Sequence, residues 1–275
     1  MRAFWLLLPG LLVALLPDSA GAYKRSRDPD TGVCVYWSDA SAGIYVHQAC
    51  SDDVGDTNSC INAVRAGLDA WNAVDCSRFV FTYAGTTDVT EVGFDQDHWN
   101  DNINLVIFQE QQWIHDSGAI ALTTTTYDMN SGELVDADLE FNGVDFTFTT
   151  SNPGPGRTDI QNTATHEAGH MLGLDHSSDP EATMYAEAPE GDTAKRTLAQ
   201  DDIDGLCFVY PVGGKIPGYT DDTLSELCQG QGGGNGGCCA SVGDGRGGLL
   251  GLSLLLGLLL SRRRRARPGD GGEKE

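Results

Sequence analysis

Three of the six histidines in this 275-residue chain fall in the stretch HEAGHMLGLDH, from His166 to His176. On a helix His166 and His170 stand four residues apart, so both imidazoles leave the same face one turn apart and can grip one ion. Gly173 follows three residues later, where a residue without Cβ can turn left-handed, end the helix and bring His176 back as a third ligand. Zinc is the natural guest, because it binds neutral imidazole nitrogen at about 2.0–2.1 Å, and three protein ligands leave one position for water. Glu167 then points beside the ion, placed to take a proton from that water and pass it to a leaving amine. Zinc in such a setting acidifies water and polarises a carbonyl, which permits peptide hydrolysis near neutral pH.

Other elements must position this stretch. The breaker run SNPGPGR (151–157) precedes its helix, with Thr158 and Gln161 fitting a capping box and Asp159 favourable in the first turn. Upstream, SCINAVRAGLDAWNAV (59–74) reads as a helix whose Ile61, Val64, Leu68 and Trp71 make one buried face. GIYVHQ, RFVFTYAG, NINLVIFQ, AIALTTTTYD and LVDADLEFN read as strands, the last two joined through MNSGE as a hairpin. AQDDIDGLCFVYP reads as a final helix that stops at Pro211. Strands mixed with a helix, then helices, predict an α+β domain with an α/β-type mixed sheet. Asp136, Asp138 and Glu140 alternate along one strand face and would offer carboxylates to calcium. His47, His98 and His115 have no ligand spacing and read as ordinary surface or core histidines.

H-E-x-x-H-x-x-G-x-x-H is the metzincin signature, and THEAGHMLGLDHSSDPEATMY resembles its matrixin branch, with Ser177 after the last histidine and Met184 as the Met-turn methionine. The Trp71 helix, DADLEFN and DDIDGLCFVYP are also similar to bacterial matrixin-like proteases, so the resemblance covers most of 32–212. It implies a twisted sheet over the active-site helix and a cleft between an upper and a lower subdomain. It implies that Met184 floors the zinc without ligating it, and that Tyr185 and the loop to Arg196 wall the pocket for the side chain after the cut bond. The strand in GAIALTTTT matches the place of the edge along which matrixin substrates lie extended, the alternative being an ordinary inner strand. The activity implied is that of a zinc endopeptidase acting as a monomer on protein or peptide substrates; the competing class is a non-catalytic surface binding protein on the same fold. One departure is that only about ten residues separate the expected signal cleavage from the catalytic domain, which leaves no room for an inhibitory propeptide. Cys34, in TGVCVYW, does not sit in a cysteine-switch motif.

The formal charge of -23 argues against a nucleic-acid partner, since a polyanion is repelled by such a surface. Residues 1–22 read as an export signal: Arg2, the apolar run FWLLLPGLLVALL, then AGA with cleavage after Ala22. Eight cysteines fit an exported chain. Cys60 and Cys76 stand about 24 Å apart if a helix runs between them, too far to bond. Cys50 is the nearest local partner of Cys60, while Cys34, Cys76, Cys207 and Cys228 can pair in three ways. The expected boundaries are a signal over 1–22, a catalytic domain over 23–215, a Gly-rich linker with a Cys pair over 216–239, and a tail over 240–275. The order of QGQGGGNGG, Cys238–Cys239, LLGLSLLLGLLL and RRRRAR resembles the C-terminal sorting tail of myxobacterial surface proteins, called MYXO-CTERM. That implies processing near the Cys pair and retention at the cell envelope; a plain membrane anchor is the alternative.

Overall fold

The computed structural model describes residues 22–151 and 153–214, and the backbone of 250–255. The signal expected over 1–22 lies outside the described residues except for Ala22, and so do the linker and tail except for that backbone stretch. The main sheet has six strands. Four of them run parallel: β2 (Ser41–His47), β3 (Val80–Thr87), β4 (Asn104–Gln109) and β6 (Leu134–Asn142). β5 (Ala121–Asp128) returns antiparallel on β6 through the expected hairpin. Ile44 and Val46 of β2 alternate inward with 0% exposure, as period-two burial requires.

Helix α1 (Thr57–Asn72) is capped by Asp56, whose side chain accepts from the Asn58 amide. Ile61, Val64, Leu68 and Trp71 are all buried, joined by Cys60 and Gly67. This face packs on helix α2 (Ile160–Met171). Gly67 allows the approach, since a Cβ there would lie 2.7 Å from Ala164 Cβ, and Trp71 Nε1 donates to Thr165 O at 2.8 Å. Burying large apolar side chains at about 1.5–3 kcal/mol each makes this contact comparable to the ~5–15 kcal/mol that separates a folded domain from its unfolded chain.

Two-residue strands tie the ends of α2. β7 (Phe148–Thr149) pairs with β8 (Thr158–Asp159), and β1 (Lys24–Arg25) pairs with β9 (Leu174–Asp175). The start of α2 departs from the expected capping box. Asp159 is the N-cap, extended at φ -79° and ψ 124°, and its carboxylate accepts from the Asn162 amide at 2.8 Å. The reason is tertiary: the same carboxylate receives Arg196 Nε at 2.8 Å, while the Thr158 amide is used by Thr147 O.

A disulfide joins Cys50 to Cys60, the expected local pair. Of the three pairings left open, the fold selects Cys76 with Cys207, linking the exit of α1 to helix α3 (Gln200–Val209). Cys34 is buried and unpaired, and Cys228 lies outside the described residues. β5 was expected either at the sheet edge or as an inner strand, and it is not left as an open edge. Instead β10 (Leu250–Leu255) pairs antiparallel along it, from Leu250 opposite Asp128 to Leu255 opposite Thr123. Backbone groups on an open edge bind any extended segment within reach, and here a piece of the C-terminal tail does so. Among the described residues no helix is long and apolar enough to cross a membrane.

Candidate metal centre

Helix α2 lies at the centre of the molecule, and His166, Glu167 and His170 each have 0% exposure. Gly173 ends it with φ +87°, where a Cβ would come within 2.6 Å of Val35 O. No other residue type fits both the left-handed backbone and that approach. Gly173 O accepts from the Ser26 amide at 2.9 Å, and the β1–β9 pairing fixes the returning strand that ends just before His176.

The reversal gathers the three rings. Centroids lie 5.0 Å apart for His166 and His170, 5.4 Å for His166 and His176, and 4.8 Å for His170 and His176. One ligand atom from each of the three residues lies within 4.8 Å of the others. His166 Nδ1 donates to Thr183 O at 2.6 Å, and His170 Nδ1 donates to Leu174 O at 2.8 Å. A carbonyl can only accept, so each Nε2 carries its lone pair inward. Burial, followed by neighbouring positive charge, holds His166 well below the ordinary imidazole range and His170 at about 3. His176 is lowered as well, again chiefly by burial. All three rings are therefore neutral at pH 7, the form in which imidazole binds a metal.

The donor set fits zinc. His166 Nε2 is buried with no hydrogen-bond partner among the described residues, and His170 Nε2 lies 3.3 Å from His176 Nε2. His170 Nε2 thus directs its lone pair toward the His176 ring, where a shared cation would be held by both nitrogens. Moreover, a tetrahedron with bonds of about 2.0–2.1 Å has edges of roughly 3.3–3.4 Å.

Around this centre, Thr123 Oγ1 of β5 donates to Glu167 Oε2 at 2.8 Å. Met184 packs against the backbone between the two helix histidines, since a Cβ on Gly169 would lie 2.1 Å from its Sδ. The turn bearing Met184 is pinned by Asp202, whose carboxylate accepts from the Thr183 amide at 2.7 Å and the Met184 amide at 3.0 Å. Tyr185 is half-buried; its amide donates to Ala182 O at 3.1 Å, and its carbonyl accepts from Lys195 Nζ. Neither Thr123 nor Lys195 stands out as an individual residue in the sequence.

Asp136, Asp138 and Glu140 do share a face of β6, and all three are buried. Asp138 accepts from the Gly93 amide at 2.6 Å and the Leu105 amide at 2.8 Å, while Glu140 meets Gln109 Nε2 at 2.6 Å. Burial pushes Asp136 up to about 8 and Asp138 up to about 6, with the neighbouring carboxylate adding to the rise of Asp136. Their oxygens do not converge as the imidazoles do: among the described residues the histidine triad is the only group of three or more His, Cys, Asp or Glu side chains placed so that it could hold a metal ion. His98 pairs with Asp95 at the surface, and His115 Nε2 lies 3.5 Å from Glu140. Neither these two nor His47 joins the triad.

Comparison with known proteins agrees with this geometry. The chain matches the family described as Matrixin over residues 44–211, more than half its length. It is 26% identical to human neutrophil collagenase over 172 residues, covering 59% of this chain and 33% of that protein. It is 48% identical over 63 residues to Metalloendoproteinase 1 of Glycine max, covering 23% and 20% respectively. With human matrilysin it shares 53% identity over 47 residues, 17% of this chain and 18% of that one. The chain thus spans between about a fifth and a third of the length of these curated relatives. Matrixins use a catalytic zinc, and the three imidazoles form a site able to hold it. Similarity running through the sheet, both central helices and the metal-facing turn has one reading: this chain belongs to the matrixin family.

Proposed function

We propose that this protein is an exported zinc endopeptidase that hydrolyses peptide bonds in protein or peptide substrates. The observation that carries the reading is the convergence of three neutral imidazoles beside the buried carboxylate of Glu167. His166, His170 and His176 would hold the metal, which when bound supplies a Lewis acid that acidifies water and polarises the substrate carbonyl. The rest is done by the chain's own groups. Thr183 O and Leu174 O fix the rotation of two rings through their Nδ1–H groups, so no reorganisation is needed on ligation. The Thr123 hydroxyl fixes the Glu167 carboxylate through Oε2. Glu167 accepts the proton of the attacking water and delivers it to the amine nitrogen as the C–N bond breaks. Met184 closes the floor with apolar surface, which keeps bulk water from competing for that proton.

The test is chelator-sensitive cleavage of an unfolded protein such as casein. Glu167→Gln should retain zinc and lose roughly 10²–10⁴-fold in turnover. Near-normal turnover by that variant would remove Glu167 from the mechanism, and no cleavage by the wild-type chain under any condition would favour a binding module. Export and retention at the cell surface belong to the same reading. They are supported by the two disulfides, which persist outside the cytosol, and by the resemblance of the C-terminal tail to a sorting signal. Mass measurement of the mature cell-surface protein tests this, since an intact arginine cluster contradicts sorting.

A further inference from the structure

Behind the metal-facing atoms lies a cation that the reaction as described does not use. Lys195 is only 5% exposed, in the short turn Ala194–Arg196. Its Nζ donates to Thr183 O at 3.0 Å and to Tyr185 O. Among the described residues no carboxylate oxygen lies within 4.0 Å of it. The next residue is anchored, because Arg196 pairs with the helix cap Asp159 through Nε and a second guanidinium nitrogen. The other close contact of Lys195 is the face of the Tyr185 ring, 5.9 Å from Nζ to the centroid, and a buried ammonium held in this way without a close carboxylate is uncommon, since burying a charge is costly unless an opposite charge is near. Burial pushes Lys195 down to about 8, against the pull of Asp192, Asp202 and Glu167.

The oxygen it shares is the telling one. Thr183 O receives His166 Nδ1–H at 2.6 Å and Lys195 Nζ at 3.0 Å. We propose that Lys195 is a positioning residue that sets how tightly this centre holds its metal, acting on His166 through the Thr183 carbonyl. Two effects run in the same direction. An ammonium on that carbonyl draws electron density away from the oxygen, so the oxygen supports the imidazole N–H less well and Nε2 becomes a weaker donor. In addition, a positive charge held in a poorly screened interior repels a dication at the triad. Lys195 therefore loosens the metal and leaves it a stronger electrophile than three imidazoles alone would give.

This rests on the triad being a zinc site, and the experiment separates the two claims. Zinc retained by the holoprotein is measured against a chelator of known affinity for wild type, Lys195→Gln, Lys195→Met and Lys195→Arg, with thermal melts to show that each variant folds. Lys195→Gln keeps an amide donor for the carbonyls but removes the charge; Lys195→Met removes both. Each neutral variant should hold zinc about tenfold or more tightly than wild type, and Lys195→Arg should stay within about threefold of it. A purely structural lysine predicts the opposite sign, because loosening the turn would release His166. Equal or weaker zinc binding in folded Lys195→Gln overturns the proposal, as does equal tightening in Lys195→Arg. Absence of zinc binding by the wild-type chain would instead overturn the zinc reading of the triad.

Discussion

Replacing Thr123 by valine tests whether the second layer of the site matters to the chemistry. The change keeps the β-branched shape that suits strand β5 and removes only the hydroxyl that donates to Glu167 Oε2 at 2.8 Å. A hydrogen bond to a charged group contributes about 1.5–3 kcal/mol, and here the carboxylate has 0% exposure, so bulk water does not replace the lost donor. If that bond is realised chiefly as Glu167 takes and releases its proton, kcat should fall by roughly ten- to a hundredfold. KM should change little, because Thr123 contacts Glu167, the proposed general base, rather than a group proposed to bind substrate. Zinc content should be unchanged, since the imidazoles take their support from Thr183 O and Leu174 O. Steady-state cleavage of a fluorogenic peptide, with metal analysis on the same sample, reads all three quantities. Thr123→Ser, which keeps the hydroxyl, should recover most of the rate. A Thr123→Val protein with zinc bound and kcat within threefold of wild type would refute the orienting role, and so would a serine variant as slow as the valine one.

Two further outcomes follow from the packing around the site. A Cβ on Gly169 would lie 2.1 Å from Met184 Sδ and 2.9 Å from Trp71 Cζ2, so Gly169→Ala must push aside the Met184 thioether and the Trp71 ring that pack on the helix between His166 and His170. It should cost about 1–3 kcal/mol in denaturant titrations and lower zinc retention on dialysis; a variant matching wild type in both would contradict the close packing. Asp136 is held up at about 8 from its ordinary 3.8 and Asp138 at about 6, so between about pH 4 and pH 8 the folded chain binds more protons here than the unfolded one. Stability contributed by this pair is therefore full below pH 4 and falls as pH rises. Asp136→Asn removes the larger share of this dependence and leaves that of Asp138, so its unfolding free energy should gain on wild type from pH 5 to pH 8, by an amount on the order of 2–4 kcal/mol. A constant or shrinking difference would show that the carboxyl is ionised at neutral pH.

What could be foreseen from the chain was whatever is encoded within one or two turns. The helical period alone placed His166 and His170 on one face, and the lack of a side chain at Gly173 announced the reversal that the +87° φ bears out. The apolar stripe of α1 was equally legible, because its four large residues repeat at helical spacing and all are buried. Choices between adjacent residues were not legible where a distant partner decides. Asp159 rather than Thr158 caps α2 because Arg196, 37 residues on, meets its carboxylate. In LTTTT, period two says which threonines share a face but not what covers each face. Thr123 meets Glu167, whereas Thr124 and Thr126 stand opposite Asp138 and Asp136 on the other side of the sheet. A lysine in a polar loop reads as solvated, so Lys195 gave no local signal of its burial. The pairing of β10 with β5 likewise depends on a segment more than a hundred residues away.

The bond between Cys76 and Cys207 has a consequence for a chain exposed to proteolysis, including by the activity proposed for it. Its partners lie 131 residues apart in sequence, and the loop so closed contains strands β3 to β6, helix α2 and every residue of the metal centre. A single nick within that loop, made by another copy or by a competing protease, opens the ring but leaves both pieces covalently joined. Damage of this kind would be invisible to size under oxidising conditions and would appear as two fragments only after a reductant is added.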